Sequence, residues 1–219
     1  MRKRKGDLLE MRPQKHKKIG LIGGTFDPVH FGHLLAAERA REEYGLEKVY
    51  FIPSANPPHK SYKGMAEAQN RFEMVEMAIR DNPYFQISNM EFLRKGYSYT
   101  IDTVNAFIDL MGQNCKIYFI IGTDNVGEIL GWKNADELIK KVEIIAMTRP
   151  GKWEEELVQN LNILKERECR INIVEMPLIH IESTNIRKRV NNGLSIKYIM
   201  PEDIEKYIIE KKLYMEREI

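Results

Sequence analysis

Cysteine is scarce: Cys115 and Cys169 are the only two in 219 residues and share no CxxC spacing. A disulfide framework is therefore excluded as the source of stability, and a reducing, cytoplasmic setting is the expectation. Long apolar runs are missing too. The cleanest, such as Ile117-Tyr118-Phe119-Ile120-Ile121, are strand-sized, well short of the roughly 18 residues a membrane span needs. No membrane partner is expected, and no charged, apolar and small leader pattern opens the chain. Internal repeats and low-complexity tracts are absent after residue 18. Neither charge sign dominates: 34 Lys+Arg stand against 32 Asp+Glu, a formal +2. With 43% hydrophobic and 30% charged residues, wholesale disorder is excluded and a globular chain is expected.

The near-neutral total conceals an asymmetry. Residues 1–18 hold eight basic side chains against Asp7 and Glu10, a local +6, which leaves the other 201 residues at −4. We read residues 1–18 as a basic, disordered N-terminal arm and residues 19–219 as a single domain. No aromatic residue or motif interleaves the basic charges, so nucleic acid is not the expected partner of the arm.

From Lys18 onward, short apolar runs alternate with amphipathic stretches, the pattern of βα units covering a mostly parallel sheet. Strands are expected at 19–22, 48–53, 85–92, 116–121, 143–147 and 171–175. Helices are expected over 33–44, 66–81, around 101–111, and over 135–141 and 154–165. Two closing helices start near Ser183 and Pro201, the first capped by Ser183 and the second carrying Pro201 in its first turn. The fold class is α/β, a doubly wound, Rossmann-like sheet.

Directly after the first strand comes Gly23-Gly24-Thr25-Phe26-Asp27-Pro28-Val29-His30-Phe31-Gly32-His33, running into a helix. Loops at the carboxyl ends of parallel strands form the ligand crevice. Glycines let backbone N–H groups approach an anion closely, and the helix start adds its positive end. The loop is neither GxxxxGK[ST] nor GxGxxG, which argues against a P-loop hydrolase and a dinucleotide-binding dehydrogenase. His30 and His33 stand three apart, on one face of a helix start, so both imidazoles can address one phosphate. A zinc site needs a third ligand, and no matching cluster lies nearby in the sequence. Two unrelated surface histidines would leave the intervening Gly32 and the Thr-Phe-Asp-Pro turn unexplained.

The segment 23–33 resembles the (H/T)xGH nucleotidyltransferase superfamily, and more closely its bacterial nicotinate mononucleotide adenylyltransferases, whose GGTFDPxHxGH opening it matches throughout. Pro57-Pro58-His59-Lys60 resembles that family's PPHK loop, and Gly96 to Thr103 its GxSYTxDT segment. Ile121-Gly122-Thr123-Asp124 with Trp132-Lys133 resembles its IGxD and W(K/Y) stretch, and Arg149-Pro150-Gly151 its RPG loop. Ile181 to Arg187 resembles its ISSTxIR motif, with Glu182 in place of the first serine.

The resemblance implies a Rossmann-like nucleotidyltransferase fold and AMP transfer from ATP to nicotinate mononucleotide, with pyrophosphate released and magnesium accompanying ATP. It further implies that His30, His33 and Arg187 are catalytic, and that Gly23, Gly24, Thr25, Phe26, Gly32, Ser183 and Thr184 bind ATP. Thr100, Asp124, Trp132, Arg149 and Lys60 are implied on the acceptor side, with no protein-held metal. The chemistry suits these residue types. A phosphate monoester is largely dianionic at neutral pH, so its oxygen attacks without a general base, and catalysis reduces to alignment and charge stabilisation. Transfer to another phosphorylated small molecule, nucleic-acid binding through the arm, and nucleotide sensing without turnover remain alternatives. A homo-oligomer is compatible with the sequence.

Overall fold

The structure is a computed structural model describing residues 18–57, 64–112, 114–148, 155–177 and 179–215. The expectation of a disordered arm lies outside the described residues, apart from Lys18. Strands β1 (Lys18–Gly24), β2 (Lys48–Pro53), β3 (Phe85–Ile87), β4 (Lys116–Gly122), β5 (Glu143–Thr148) and β6 (Ile171–Glu175) form one sheet ordered β3-β2-β1-β4-β5-β6. Every pairing is parallel. Parallel strands need crossovers, supplied by α1 (Phe31–Tyr44), α2 (Ala68–Ile79), α3 (Thr100–Met111), α4 (Ala135–Lys141) and α5 (Glu155–Glu166). Helices α6 (Ser183–Asn191) and α7 (Glu202–Glu210) follow the last strand.

Strand alternation sorts the core into two layers. In β4, Tyr118 and Ile120 join a cluster with residues of α1, α2, α6 and α7, whereas Ile117, Phe119 and Ile121 join one with residues of α3, α4 and α5. Both faces are covered, which is why the inner strands read as continuous apolar runs rather than as alternating ones. Helix α1 stops at Gly45, whose φ of 60° is the left-handed conformation that glycine adopts without a Cβ penalty. Cys115 and Cys169 are free thiols, and burial pushes Cys169 up to about 11. No helix among the described residues is long and apolar enough to cross a membrane.

Three local expectations are corrected. The strand expected at 85–92 ends at Ile87, because Ser88 turns the chain and its hydroxyl accepts the Met90 N–H at 3.3 Å. Ser183 is the first residue of α6 rather than its cap; Glu182 holds the cap position. Pro201 caps α7 from outside its first turn.

The order places β1 beside β4, where the crossover direction reverses. Crevices open at such switch points beyond the carboxyl ends of the strands. Here the flanking loops are Thr25–His30, after β1, and the segment that begins with Thr123, after β4.

Candidate active site

Residues 25–30 turn back from β1 almost entirely buried. Thr25, Phe26, Asp27 and His30 are at most 9% exposed. Phe26 takes φ 50°, a left-handed conformation uncommon for a bulky side chain, and the Asp27-Pro28 peptide is cis. Buried Arg71 holds the turn, donating from Nη1 to the Thr25 carbonyl at 2.7 Å and from Nε to the Ala66 carbonyl at 3.1 Å.

His30 caps α1 and His33 lies in its first turn. The two imidazoles stack with centroids 3.7 Å apart and planes 27° apart, and the Phe26 ring meets His33 edge-on at 5.0 Å. The His30 backbone N–H donates to His33 Nδ1 at 3.3 Å. An accepting Nδ1 leaves the ring proton on Nε2, so His33 presents an N–H donor at its far edge. Gly32 makes this stack fit: a Cβ there would lie 3.0 Å from His30 Cε1 and Nδ1.

Helix α6 brings Arg187 and Ser183 onto the same turn. Arg187 Nη1 donates to the Asp27 carbonyl at 2.7 Å and lies 3.5 Å from Asp27 Oδ2, while Nη2 donates to Thr184 Oγ1 at 3.3 Å. The Ser183 hydroxyl donates to the Pro28 carbonyl at 2.9 Å. Glu182 faces sideways, with Oε1 3.1 Å from His180 Nε2 and Oε2 accepting from Asn185 at 3.4 Å. Its negative charge is thus engaged by neighbours on the flank of α6.

Across the switch point, β4 ends at Gly122 and a 3-10 turn, Thr123–Asn125, follows. The Asp124 carboxylate occupies the space that a side chain on Gly122 would fill. Trp132 is half-buried, its ring perpendicular to Phe119 with centroids 5.9 Å apart. Lys133 lies 4.3 Å above the Tyr99 ring and 3.3 Å from Asp102 Oδ2, which brings the Trp132 segment against the first turn of α3, where Thr100 sits. Tyr97 is largely exposed and meets Tyr99 edge-on at 6.2 Å. Buried Glu91 secures this end: it accepts from Thr103 Oγ1 at 2.9 Å and Ser54 Oγ at 3.1 Å. Lys60 and Arg149 lie outside the described residues. Among the described residues, no group of three or more His, Cys, Asp or Glu is arranged to hold a metal ion.

The pattern of the cytidylyltransferase-like family matches residues 21–189, most of the chain. A Thermoanaerobacter sp. (strain X514) protein named "Probable nicotinate-nucleotide adenylyltransferase" is 43% identical over 94% of this chain and 98% of its own. One of the same name from Moorella thermoacetica is 45% identical over 91% and 93%. The chain belongs to the nicotinate-nucleotide adenylyltransferase family. A Plasmodium falciparum nicotinic acid mononucleotide adenylyltransferase, solved in complex with NaAD, shares the fold with a TM-score of 0.75 at 20% identity, covering 91% of this chain and 98% of that one.

Seen as a nicotinate-nucleotide adenylyltransferase, the chain keeps His30, His33, Ser183, Thr184 and Arg187 around one turn. Sequence reading missed Arg71 and Tyr214, which support that turn, the Tyr214 hydroxyl donating to Asp27 Oδ1 at 2.7 Å, and Glu91, which secures the α3 end. Arg71 and Glu91 carried a signal, Arg71 at i−3 and i−4 from the apolar Met74 and Val75 and Glu91 between Met90 and Phe92, since a charge among apolar neighbours invites the question of its partner. Tyr214 had none, because its partner lies 187 positions away.

Proposed function

We propose that the crevice between β1 and β4 transfers AMP from MgATP to the 5'-phosphate of nicotinate mononucleotide, releasing pyrophosphate and forming nicotinate adenine dinucleotide. The observation that carries the reading is the stacked His30–His33 pair beside Arg187, a cluster of N–H donors on one buried turn. His33 Nε2–H serves the α-phosphate and His30 the adjacent phosphate oxygens. Arg187, Ser183 and Thr184 serve the β- and γ-phosphates at the start of α6. Gly23, Gly24, Thr25 and Phe26 line the loop, and Gly32 gives the histidines their room. Magnesium arrives on the triphosphate as part of the substrate, neutralising charge on the departing pyrophosphate.

For the acceptor, Trp132 offers its exposed ring face to the pyridine, Thr100 and the first-turn N–H groups of α3 serve the carboxylate, and Asp124 serves ribose hydroxyls. Lys60 and Arg149 are assigned to the acceptor side on the family resemblance alone. The acceptor phosphate is already ionised, so attack is in line, with no general base and no covalent intermediate. The two free thiols support assignment to the cytoplasm. The test is pyrophosphate release from MgATP with a panel of phosphorylated acceptors. Nicotinate mononucleotide should give the highest kcat/KM, above its nicotinamide counterpart; preference for another acceptor would reassign the site.

A further inference from the structure

Behind the catalytic turn, Asp27 and Tyr214 have no assigned part in the chemistry above. Asp27 is 5% exposed, and a buried carboxylate is costly unless its oxygens are filled. Oδ1 accepts from the Ala66 N–H at 3.0 Å and from the Tyr214 hydroxyl at 2.7 Å. Its other side faces Arg187, whose Nη1 lies 3.5 Å from Oδ2 and donates to the Asp27 carbonyl at 2.7 Å. One residue therefore joins the C-terminal tail to the arginine assigned to the triphosphate.

The tail is shaped for this contact. After α7, Lys212 and Tyr214 both take left-handed conformations, with φ of 51° and 61°. Backbone bonds from Leu213 N–H to the Ile208 carbonyl at 3.0 Å and from Lys212 N–H to the Ile209 carbonyl at 3.1 Å secure the turn. The Tyr214 ring packs on the α1, α2, α6 and α7 side of the core. Burial and the neighbouring Asp27 carboxylate push its phenol well above the ordinary value, so it stays a donor throughout the working range. A ring needed only for packing would not require a hydroxyl on that carboxylate.

We propose that Tyr214 is a positioning residue: by holding Asp27 Oδ1 it limits the pull of the Asp27 carboxylate on Arg187 and keeps that guanidinium available to the triphosphate. Without the hydroxyl, Asp27 Oδ1 loses a donor, and the carboxylate turns further toward the Arg187 guanidinium, already 3.5 Å from Oδ2. Arg187 is then drawn into a tighter pair with Asp27, in competition with the phosphates. The inference rests on the assignment of Arg187 to ATP.

The experiment compares Tyr214→Phe with Tyr207→Phe. Tyr207 also places its hydroxyl on a carboxylate, that of Glu73 at 2.6 Å, where α7 packs on α2, and neither residue is assigned a part in the reaction. Tyr214→Phe should lower kcat about tenfold with KM for nicotinate mononucleotide unchanged, the size of effect expected from misplacing one binding group. Tyr207→Phe should stay within about twofold of wild type in kcat although it loses a similar bond. In an Arg187→Ala background, Tyr214→Phe should cost less than about twofold more, since the two act as one unit. Equal kcat for both tyrosine variants would overturn the proposal, as would an undiminished tenfold loss in the Arg187→Ala background. If the wild type releases no pyrophosphate with nicotinate mononucleotide, or Arg187→Ala keeps full turnover, the assignment of Arg187 fails and this proposal falls with it. Normal wild-type turnover and a damaged Arg187→Ala with an innocuous Tyr214→Phe would remove this inference alone.

Discussion

His33 is the residue on which the proposed adenylyl transfer depends most. Its Nδ1 accepts from the His30 backbone N–H at 3.3 Å, so Nε2–H is the donor we assign to the charge that develops on the α-phosphate. Removing one such donor from a preorganised site costs ~10²–10³-fold in kcat. We expect that loss for His33→Ala with a much smaller change in ATP affinity, measured by steady-state pyrophosphate release and by calorimetric titration. Equal losses in both would indicate a binding role alone. Gly32→Ala is a subtler case, because the new methyl reaches the His30 ring at 3.0 Å. The imidazole must shift by a few tenths of an ångström, so turnover should fall while the melting temperature stays within a few degrees. Unchanged kcat would show that the stack is not needed. His30 and His33 were singled out by their spacing around Gly32, whereas Arg187 came only from the resemblance of residues 181–187 to a family motif. The surroundings of Glu182 were not legible: nothing in the sequence says that His180 and Asn185 flank its carboxylate.

At the scale of elements, the helices were legible where apolar spacing is strong, as with the stripe of Ile101, Val104, Ile108 and Met111 in α3, the first two buried and the last two partly buried against the same core. Strand β3 is shorter than expected because Met90 and Phe92 continue the apolar positions Phe85 and Ile87 in the sequence, whereas the Ser88 hydroxyl turns the backbone. The packing of α7 on α2 carries its own test. Tyr207 donates to Glu73 at 2.6 Å, and that bond is the largest cause holding the Glu73 carboxyl below its ordinary value. A carboxylate with a depressed folded pKa adds stability that is present above its unfolded pKa and lost as pH falls through the folded one. Tyr207→Phe should therefore destabilise the protein at pH 7 by about 1 kcal/mol, with partial solvent exposure of Glu73 keeping the figure low. Urea unfolding should show the gap closing as pH drops below the usual carboxylate range near 4. A gap that stays constant to pH 3 would mean the hydroxyl acts through packing rather than through the charged acceptor.

For the whole molecule, the doubly wound architecture followed from the alternation of apolar runs and amphipathic stretches, while the strand order β3-β2-β1-β4-β5-β6 did not. Order depends on which crossovers reverse direction, and local periodicity does not carry that information. The tail contact from Tyr214 to Asp27 is hidden for the same reason. The charge split makes a separate prediction. With residues 19–219 at −4 and residues 1–18 at +6, general basicity is not what attracts ATP to the domain, so the attraction has to be local. Deleting residues 1–17 should leave kcat/KM for ATP within about twofold at physiological salt, where charges beyond about 8 Å are screened. A large loss on truncation would make the arm part of the site.

On the proposed mechanism the crevice aligns two phosphates, and no covalent intermediate forms. The stereochemical course at the α-phosphorus tests it most directly. A single diastereomer of ATP carrying sulfur on the α-phosphate, turned over with nicotinate mononucleotide, should give a dinucleotide of inverted configuration at that phosphorus. Retention would require two displacements, and a nucleophile on the protein would then have to replace in-line attack by the acceptor.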